Sequence, residues 1–300
     1  MSLLVGVDTG RRSSSVLALA AQLANSLDTD LVVAAVVGTA WAPLRGGVDH
    51  EWRAHDRASA EQVLDHAASV LGGQVAARYL VHEASSSRRG LLELAEAEKP
   101  ELLVLGSTGR GEHGRIALGS VAEALLHASP APVAIAPVGY RAGLDSRIAR
   151  ITAAYGGSEA AHDLVRGAAP VAARAGASLR IASFAVRPDA ETGLLSGAGG
   201  RAEDPVLTEW AAQVRAHSAS IVDDIEELEP RPSIEDAVIG VGENWAAAVE
   251  DVGWRDGDLL VVGSSTLNPL ARVFLGSHGT KIVRSAAVPV IVVPQAVIRS

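Results

Sequence analysis

The sequence contains no cysteine and few aromatic residues, and both absences narrow what the protein can be. Without cysteine, disulfides, thiolate metal sites and a cysteine nucleophile are excluded, and a cytoplasmic location is expected. Aromatic side chains make up 3% of the chain, too few for a base-stacking stripe along a nucleic acid. Acidic residues outnumber basic ones, 35 to 26, so the basic excess typical of nucleic-acid binders is also missing.

Long apolar runs are lacking too, although 48% of the residues are hydrophobic. The longest runs, such as 31–37 and 259–262, fall well short of the roughly 20 residues that span a membrane, so no membrane segment is predicted. Enough apolar surface nevertheless exists to form a packed core. A chain of 300 residues exceeds what one core usually organises, which predicts two domains.

The two halves of the sequence repeat each other. Three blocks recur 157 positions later: 101–107 as 258–264, 119–120 as 276–277, and 132–137 as 289–294. A looser match aligns 4–8 with 151–155, which places Tyr155 at the position of Asp8. One offset shared by separate blocks indicates a tandem duplication. The expected domains are residues 1–142 and 143–300.

Short β-branched runs alternate with helical patterns in each half, which predicts βα units on a parallel sheet. The first half should contain strands at 3–7, 31–37, 75–81, 102–105 and 133–136, with helices at 13–26, 51–70, 88–98 and 119–128. The second half should contain strands at 148–154, 178–185, 235–239, 258–262 and 290–293. Pro132 and Pro289 open the two last strands, a position typical of sheet edges. Those two edges could pair with each other.

A glycine-rich loop follows the fourth strand of the first half and ends at Gly119-Ser120, where a helix begins. Ligands of α/β sheets bind at the carboxyl ends of strands, and free N–H groups at a helix N-terminus favour anions, so phosphate is the expected guest. The alternative is a solvent-exposed flexible loop. A Walker A motif is excluded because Arg115-Ile116 stands where Lys and Ser/Thr are required. The match to G-x-G-x-x-G at 109–114 lies in the wrong place, after the fourth strand rather than the first.

The spacing Gly106, Gly109, Gly119-Ser120, with Asp8 ending the first strand, resembles the nucleotide-binding pattern of the universal stress protein family (UspA-like) in a tandem two-module form. The resemblance implies two five-stranded parallel, Rossmann-like domains of the adenine nucleotide α-hydrolase type, with flanking helices, forming a pseudo-dimer. It also implies ATP, or ADP or AMP, with or without Mg²⁺, as ligand of the first module. The site residues implied are Gly6, Val7, Asp8, Val36, Leu105, Gly106, Gly109, Gly119, Ser120 and Val121.

The second half departs from this pattern. Tyr155 takes the place of Asp8, and Thr266 replaces the second glycine. A threonine would crowd a phosphate against the backbone, so the second module is expected to be degenerate and to bind ATP weakly or not at all. Gly263, Gly276 and Ser277 keep the rest of the pattern.

Several alternatives stay open at the level of sequence. Asp8 could contact adenine or ribose, or cap the following helix. Arg110 and Arg115 could contact phosphate or lie on the surface. No catalytic residue and no metal site is predicted, so the leading hypothesis is an adenine-nucleotide-binding protein of stress response or signalling. A scaffold without ligand and a slow ATPase are the alternatives. The last strands could pair within the chain, or join two chains as a homodimer.

Overall fold

The structure is a computed structural model that describes residues 1–8, 14–39, 48–109, 111–187, 203–264, 277–294 and 297, with only the backbone at 48–53 and 203–207. In the first module the elements are β1 (Ser2–Val7), α1 (Ser14–Leu27), β2 (Asp30–Gly38), α2 (Val48–Leu71), β3 (Ala77–Ala84), α3 (Ser87–Glu98), β4 (Leu102–Gly106), α4 (Ser120–Ala128) and β5 (Val133–Ala136). In the second they are β6 (Arg150–Ala154), α5 (Glu159–Ala175), β7 (Ser178–Val186), α6 (Glu203–Glu226), β8 (Val238–Gly242), α7 (Trp245–Asp251), β9 (Asp258–Gly263), α8 (Ser277–Ser285) and β10 (Val290–Val293).

The predicted strands all form, and the α/β tandem architecture is confirmed. The bounds of β3 and β8 differ most from the predicted ones: both strands lie up to three residues closer to the C-terminus. Before β8, Ile234 makes only an isolated bridge to Leu179. Between Ile234 and β8 the chain directs the Glu235 side chain toward Arg150. Continuous pairing with β7 therefore begins at Val238, later than the apolar pattern predicts.

All ten strands belong to one sheet in the order β3-β2-β1-β4-β5-β10-β9-β6-β7-β8. Every neighbouring pair is parallel except β5 and β10, which are antiparallel with Ile135 opposite Val290. The predicted pairing of the two last strands is therefore confirmed, and it forms the pseudo-dimer within one chain. Each of these two strands already has a neighbour on both sides, so neither has a free edge for pairing with a second chain.

The hydrophobic core lies on both faces of the sheet and runs through both modules. On one face, α1 of the first module packs against α5 of the second, and both helices belong to one cluster of buried residues. On the other face, Leu125 of α4 and Val283 of α8 share a second cluster. Strands covered on both faces carry apolar side chains throughout, as β2 does at 31–35. The two modules are thus joined by their cores as well as by the sheet.

The linker between β5 and β6 is held by polar residues of α1. The Ser26 hydroxyl accepts a hydrogen bond from the backbone N–H of Ile148 at 2.7 Å. Asn25 donates to two linker carbonyls, at 2.6 and 3.4 Å. The Tyr140 hydroxyl donates to Gln22 at 2.5 Å, and burial raises the pKa of Tyr140 to about 12. These contacts fix the linker to the first module along its length.

A buried ion cluster holds together the amino ends of the strands in the second module. The Arg150 guanidinium binds Asp258 at 2.5 Å and Glu235 at 2.9 Å. Glu235 also accepts hydrogen bonds from Ser178 and Arg255, both at 2.6 Å. Burial raises the pKa of Glu235, but the hydrogen bonds from Ser178 and Arg150 outweigh it and lower that pKa to about 2.

Because the folded pKa of Glu235 lies below its ordinary value of 4.5, its contribution to stability is complete above pH 4.5 and is lost as pH falls toward 2. The full shift corresponds to about 3 kcal/mol, which partial exposure reduces to roughly 1 to 2 kcal/mol. Urea unfolding between pH 5 and pH 2 should therefore show a shallower loss of stability for Glu235→Gln than for the wild type. Exposed Glu227→Gln is the control and should follow the wild type; identical slopes for both variants would contradict this role of Glu235.

Candidate nucleotide site

A cavity of about 770 Å³ opens at the carboxyl ends of β1, β2 and β4 in the first module. Its lining contains ten of the residues that the resemblance implied: Gly6, Val7, Asp8, Val36, Leu105, Gly106, Gly109, Gly119, Ser120 and Val121. Arg110 lies outside the described residues. The lining also includes Ser14, Ser15, Ser87, Leu91 and Thr108, which sequence reasoning missed. The serines could have been predicted from the sequence, because they begin α1 and α3. In a parallel α/β sheet the N-termini of helices lie near the carboxyl ends of the strands, where ligands bind.

Part of the cavity lining is polar because two helices begin at the cavity. Ser14 opens α1, and Ser120 opens α4. The N-cap residue of α4, Gly119, provides no side-chain acceptor, so no side chain of that residue competes for the first N–H groups of the helix. Free N–H groups and the positive end of the helix dipole favour an anion beside these helix starts.

Another part of the cavity lining is apolar. Ala34, Val36, Leu91 and Leu105 form its wall. A Cβ atom at Gly6 would lie 3.0 Å from Leu105 Cδ2, so the absence of a side chain there keeps this wall open. A flat apolar ring fits such a surface, since binding pockets are mostly apolar with a few placed polar groups.

Asp8 lies at the rim of the cavity and is exposed, directly after β1. It precedes Ser14 by six residues, so it does not occupy the N-cap position of α1. Its carboxylate is an acceptor for hydroxyl or amine groups of a ligand in the cavity.

The glycine loop after β4 is closed at its base by hydrogen bonds. The Ser107 hydroxyl donates to the carbonyl of Ala136 at 2.7 Å and accepts from the N–H of Ala117 at 3.2 Å. The N–H of Thr108 donates to the carbonyl of Ala117 at 2.9 Å. A Cβ atom at Gly119 would lie 2.4 Å from Thr108 Cγ2, so glycine is required where the loop passes close to itself.

Arg115 belongs to the same loop but is not among the residues lining the cavity. Its guanidinium contacts Glu250 at 3.2 Å and the carbonyl of Ser285 at 2.5 Å, both in the second module. This pairing does not favour the alternative in which Arg115 contacts phosphate. His113 is exposed, as expected for a loop histidine, and its ring lies over Gly139.

Comparison with known proteins agrees with this architecture. The sequence profile of the universal stress protein family matches twice, at residues 1–137 and 148–294. The chain belongs to the universal stress protein family. A curated universal stress protein of Mycobacterium tuberculosis is 36% identical over 303 residues, covering 98% of this chain and 100% of the relative.

Solved structures share the tandem fold. A universal stress protein from Archaeoglobus fulgidus covers 98% of this chain and 98% of its own, with a TM-score of 0.61 and 19% identity. A shorter universal stress protein, solved in complex with cAMP, covers 46% of this chain at 22% identity with a TM-score of 0.34.

The sheet register corrects the alignment of the two universal stress modules. Leu3 pairs with Leu102 in β4, and Ile151 pairs with Leu259, the equivalent of Leu102, in β9. Ile151 is thus the counterpart of Leu3, and the offset at the start of the modules is 148 rather than 147.

With this offset, Tyr155 corresponds to Val7 and Gly156 to Asp8. Burial agrees, since Tyr155 and Val7 are 5% and 7% exposed in one core, whereas Gly156 and Asp8 are exposed. The expectation that Tyr155 takes the place of Asp8 is therefore wrong by one residue. When two apolar runs are aligned by sequence, a shift of one residue still matches apolar residues with apolar residues. In a sheet the same shift would move every side chain to the opposite face, so backbone pairing fixes the alignment.

Three cavity positions of the first module carry rings in the second. Strand register makes Phe184 the counterpart of Val36. Trp245 opens α7 as Ser87 opens α3, and His278 follows the first residue of α8 as Val121 does in α4. The Trp245 and His278 rings are in contact, with centroids 5.1 Å apart. Gly263 ends β9 and Ser277 begins α8, whereas Thr266 and Gly276 lie outside the described residues.

The corrected register predicts opposite effects for two neighbouring substitutions. Tyr155→Asp should lower the free energy of unfolding by more than about 3 kcal/mol, because it places a carboxylate in an apolar core. Gly156→Asp should change it by less than about 1 kcal/mol, because a Cβ atom there meets nothing within 4 Å. Urea denaturation of both variants measures the difference. A larger loss for Gly156→Asp would contradict the register.

Proposed function

We propose that the protein binds an adenine nucleotide, ATP or its products ADP and AMP, in the cavity of the first module, residues 1–142. Binding would serve stress response or signalling by changing the shape or the partners of the protein. The observation that carries the proposal is one cavity lined by ten of the residues that the family resemblance implied. Membership of the universal stress protein family supports it.

The apolar and polar parts of the cavity lining suit the base and the phosphates of a nucleotide. Adenine would lie against the apolar wall of Ala34, Val36, Leu91 and Leu105. Asp8 at the rim would accept a hydrogen bond from a ribose hydroxyl or from the adenine amine.

The phosphates would lie at the glycine loop and at the start of α4, where Gly119 and Ser120 present backbone N–H groups and a hydroxyl. Among the described residues, no group of three or more histidine or acidic side chains could hold a metal ion. Mg²⁺ would therefore enter with the phosphates rather than through a protein site of its own.

The second module has a different surface at the equivalent place. Gly156 provides no carboxylate, and Phe184, Trp245 and His278 replace smaller side chains. Bulky rings in contact leave less room for a flat base than a serine and two valines do. Nucleotide would therefore occupy mainly the first module.

Thermal unfolding with and without ligand tests the proposal. ATP at 100 times its dissociation constant should stabilise the protein by about 2.7 kcal/mol, because it binds only the folded state. ADP and AMP should stabilise it as well, and their order reports how much the phosphates contribute. GTP is the control for base selectivity. A melting temperature unchanged by all three adenine nucleotides at millimolar concentration would contradict the proposed function.

A second variant set tests the glycine loop as the phosphate site. Gly119→Ala should weaken ATP binding by about tenfold, since its Cβ would press against Thr108 and move the loop. Adding Thr108→Ser should restore much of the affinity, because serine lacks the methyl group in the way. Gly167→Ala, at an open position in α5, is the matched control. Calorimetric titration measures all three; wild-type affinity in Gly119→Ala would contradict the proposed role of the loop.

A further inference from the structure

Arg115 connects the glycine loop of the first module to the second module. Its backbone is fixed within the first module, because Val138 donates to the carbonyl of Arg115 at 2.9 Å and Gly114 donates to the carbonyl of Val138 at 2.8 Å. Its side chain extends the other way and is 27% exposed, between Glu250 and the carbonyl of Ser285. The residue therefore bridges two parts of the chain that are far apart in sequence.

The partners of Arg115 are suited to hold a cation. Ser285 is the last residue of α8, where backbone carbonyls lack helical partners and the helix dipole is negative. Glu250 lies in the last turn of α7 and adds a full negative charge. A guanidinium can donate to both groups at once, as the distances of 2.5 and 3.2 Å indicate.

The loop that carries Arg115 also lines the cavity. Gly106 and Gly109 precede Arg115 in this loop, and Gly119 follows it, all of them in the cavity lining. A side chain anchored outside the module limits where the loop between these glycines can lie. The anchor is provided by α7 and α8, the helices whose first turns carry the Trp245 and His278 rings.

We propose that Arg115 is a positioning residue, through which Glu250 and the end of α8 in the second module hold the glycine loop of the first module in its ligand-binding shape. The inference rests on the proposed nucleotide function and deepens it, because it gives the second module a part in binding at the first. It also assigns Arg115 a role without contact to the phosphates.

The test compares ATP affinity in variants of this contact, measured by calorimetric titration of the full chain. Arg115→Ala and Glu250→Gln should each weaken binding by about fivefold, and the double variant should be no weaker than Arg115→Ala, since both break one connection. Arg174→Ala is the matched control: it removes another ion pair between the modules, with Glu101 at the opposite end of β4, and should bind as the wild type does.

Each other outcome overturns the inference. Weaker binding in Arg115→Ala with unchanged binding in Glu250→Gln would indicate direct phosphate contact instead. Unchanged affinity in both, with a lower melting temperature, would indicate a structural role alone. Equal losses in Arg174→Ala would indicate a general weakening of the contact between modules.

Hydrogen exchange of the unliganded protein separates this inference from the proposed function. The amides of Gly114 and Val138 should exchange faster in Arg115→Ala and in Glu250→Gln, and not in Arg174→Ala. If wild-type protein bound no nucleotide, the proposed function would fail while the exchange rates would still decide whether Arg115 holds the loop. Unchanged exchange in both variants would overturn that claim.

Discussion

The pairing of β5 with β10 is the constraint on which the rest of the structure depends. These four-residue strands are the only antiparallel neighbours in the described sheet, and they meet at its centre. The pairing turns two duplicated modules in opposite directions and removes the exposed edge that each would otherwise present. It also brings α4 beside α8, where Arg284 and Glu123 form an ion pair at 2.8 Å. Arg115 reaches the second module because of this arrangement.

Duplicated folds need not keep duplicated sites. Both modules retain the strand order and the helix starts that a ligand cavity requires, but they differ in the side chains at those places. The second module has different side chains at the equivalent positions, and its sheet is undisturbed. The positions lie at strand ends and helix starts: Gly156, Phe184, Trp245 and His278. The buried Arg150 and Asp258 pair, at the other end of the strands, belongs to the stability of the second module rather than to a site.

Much of the fold and the first site follows from the sequence, for identifiable reasons. Strands buried on both faces produce apolar runs, and glycines mark the close approach of Gly119 to Thr108, so both leave local signals. The contact between Arg115 and Glu250 leaves no local signal in the sequence, because the two residues are 135 positions apart. The Trp245 and His278 contact likewise joins two helices that only the sheet brings together. The register of β6 makes Tyr155 the counterpart of Val7. This register is fixed by backbone pairing with β7 and β9, which composition does not reveal.

The asymmetry of the two modules is the central claim, and the number of nucleotides per chain tests it most directly. Protein saturated with ATP, freed of unbound ligand and denatured, would release adenine nucleotide for quantification by chromatography and mass. The account predicts about one nucleotide per chain, since Phe184, Trp245 and His278 stand in the second module where the cavity of the first has smaller side chains. Two per chain would contradict the asymmetry of the modules, and none would contradict nucleotide binding altogether.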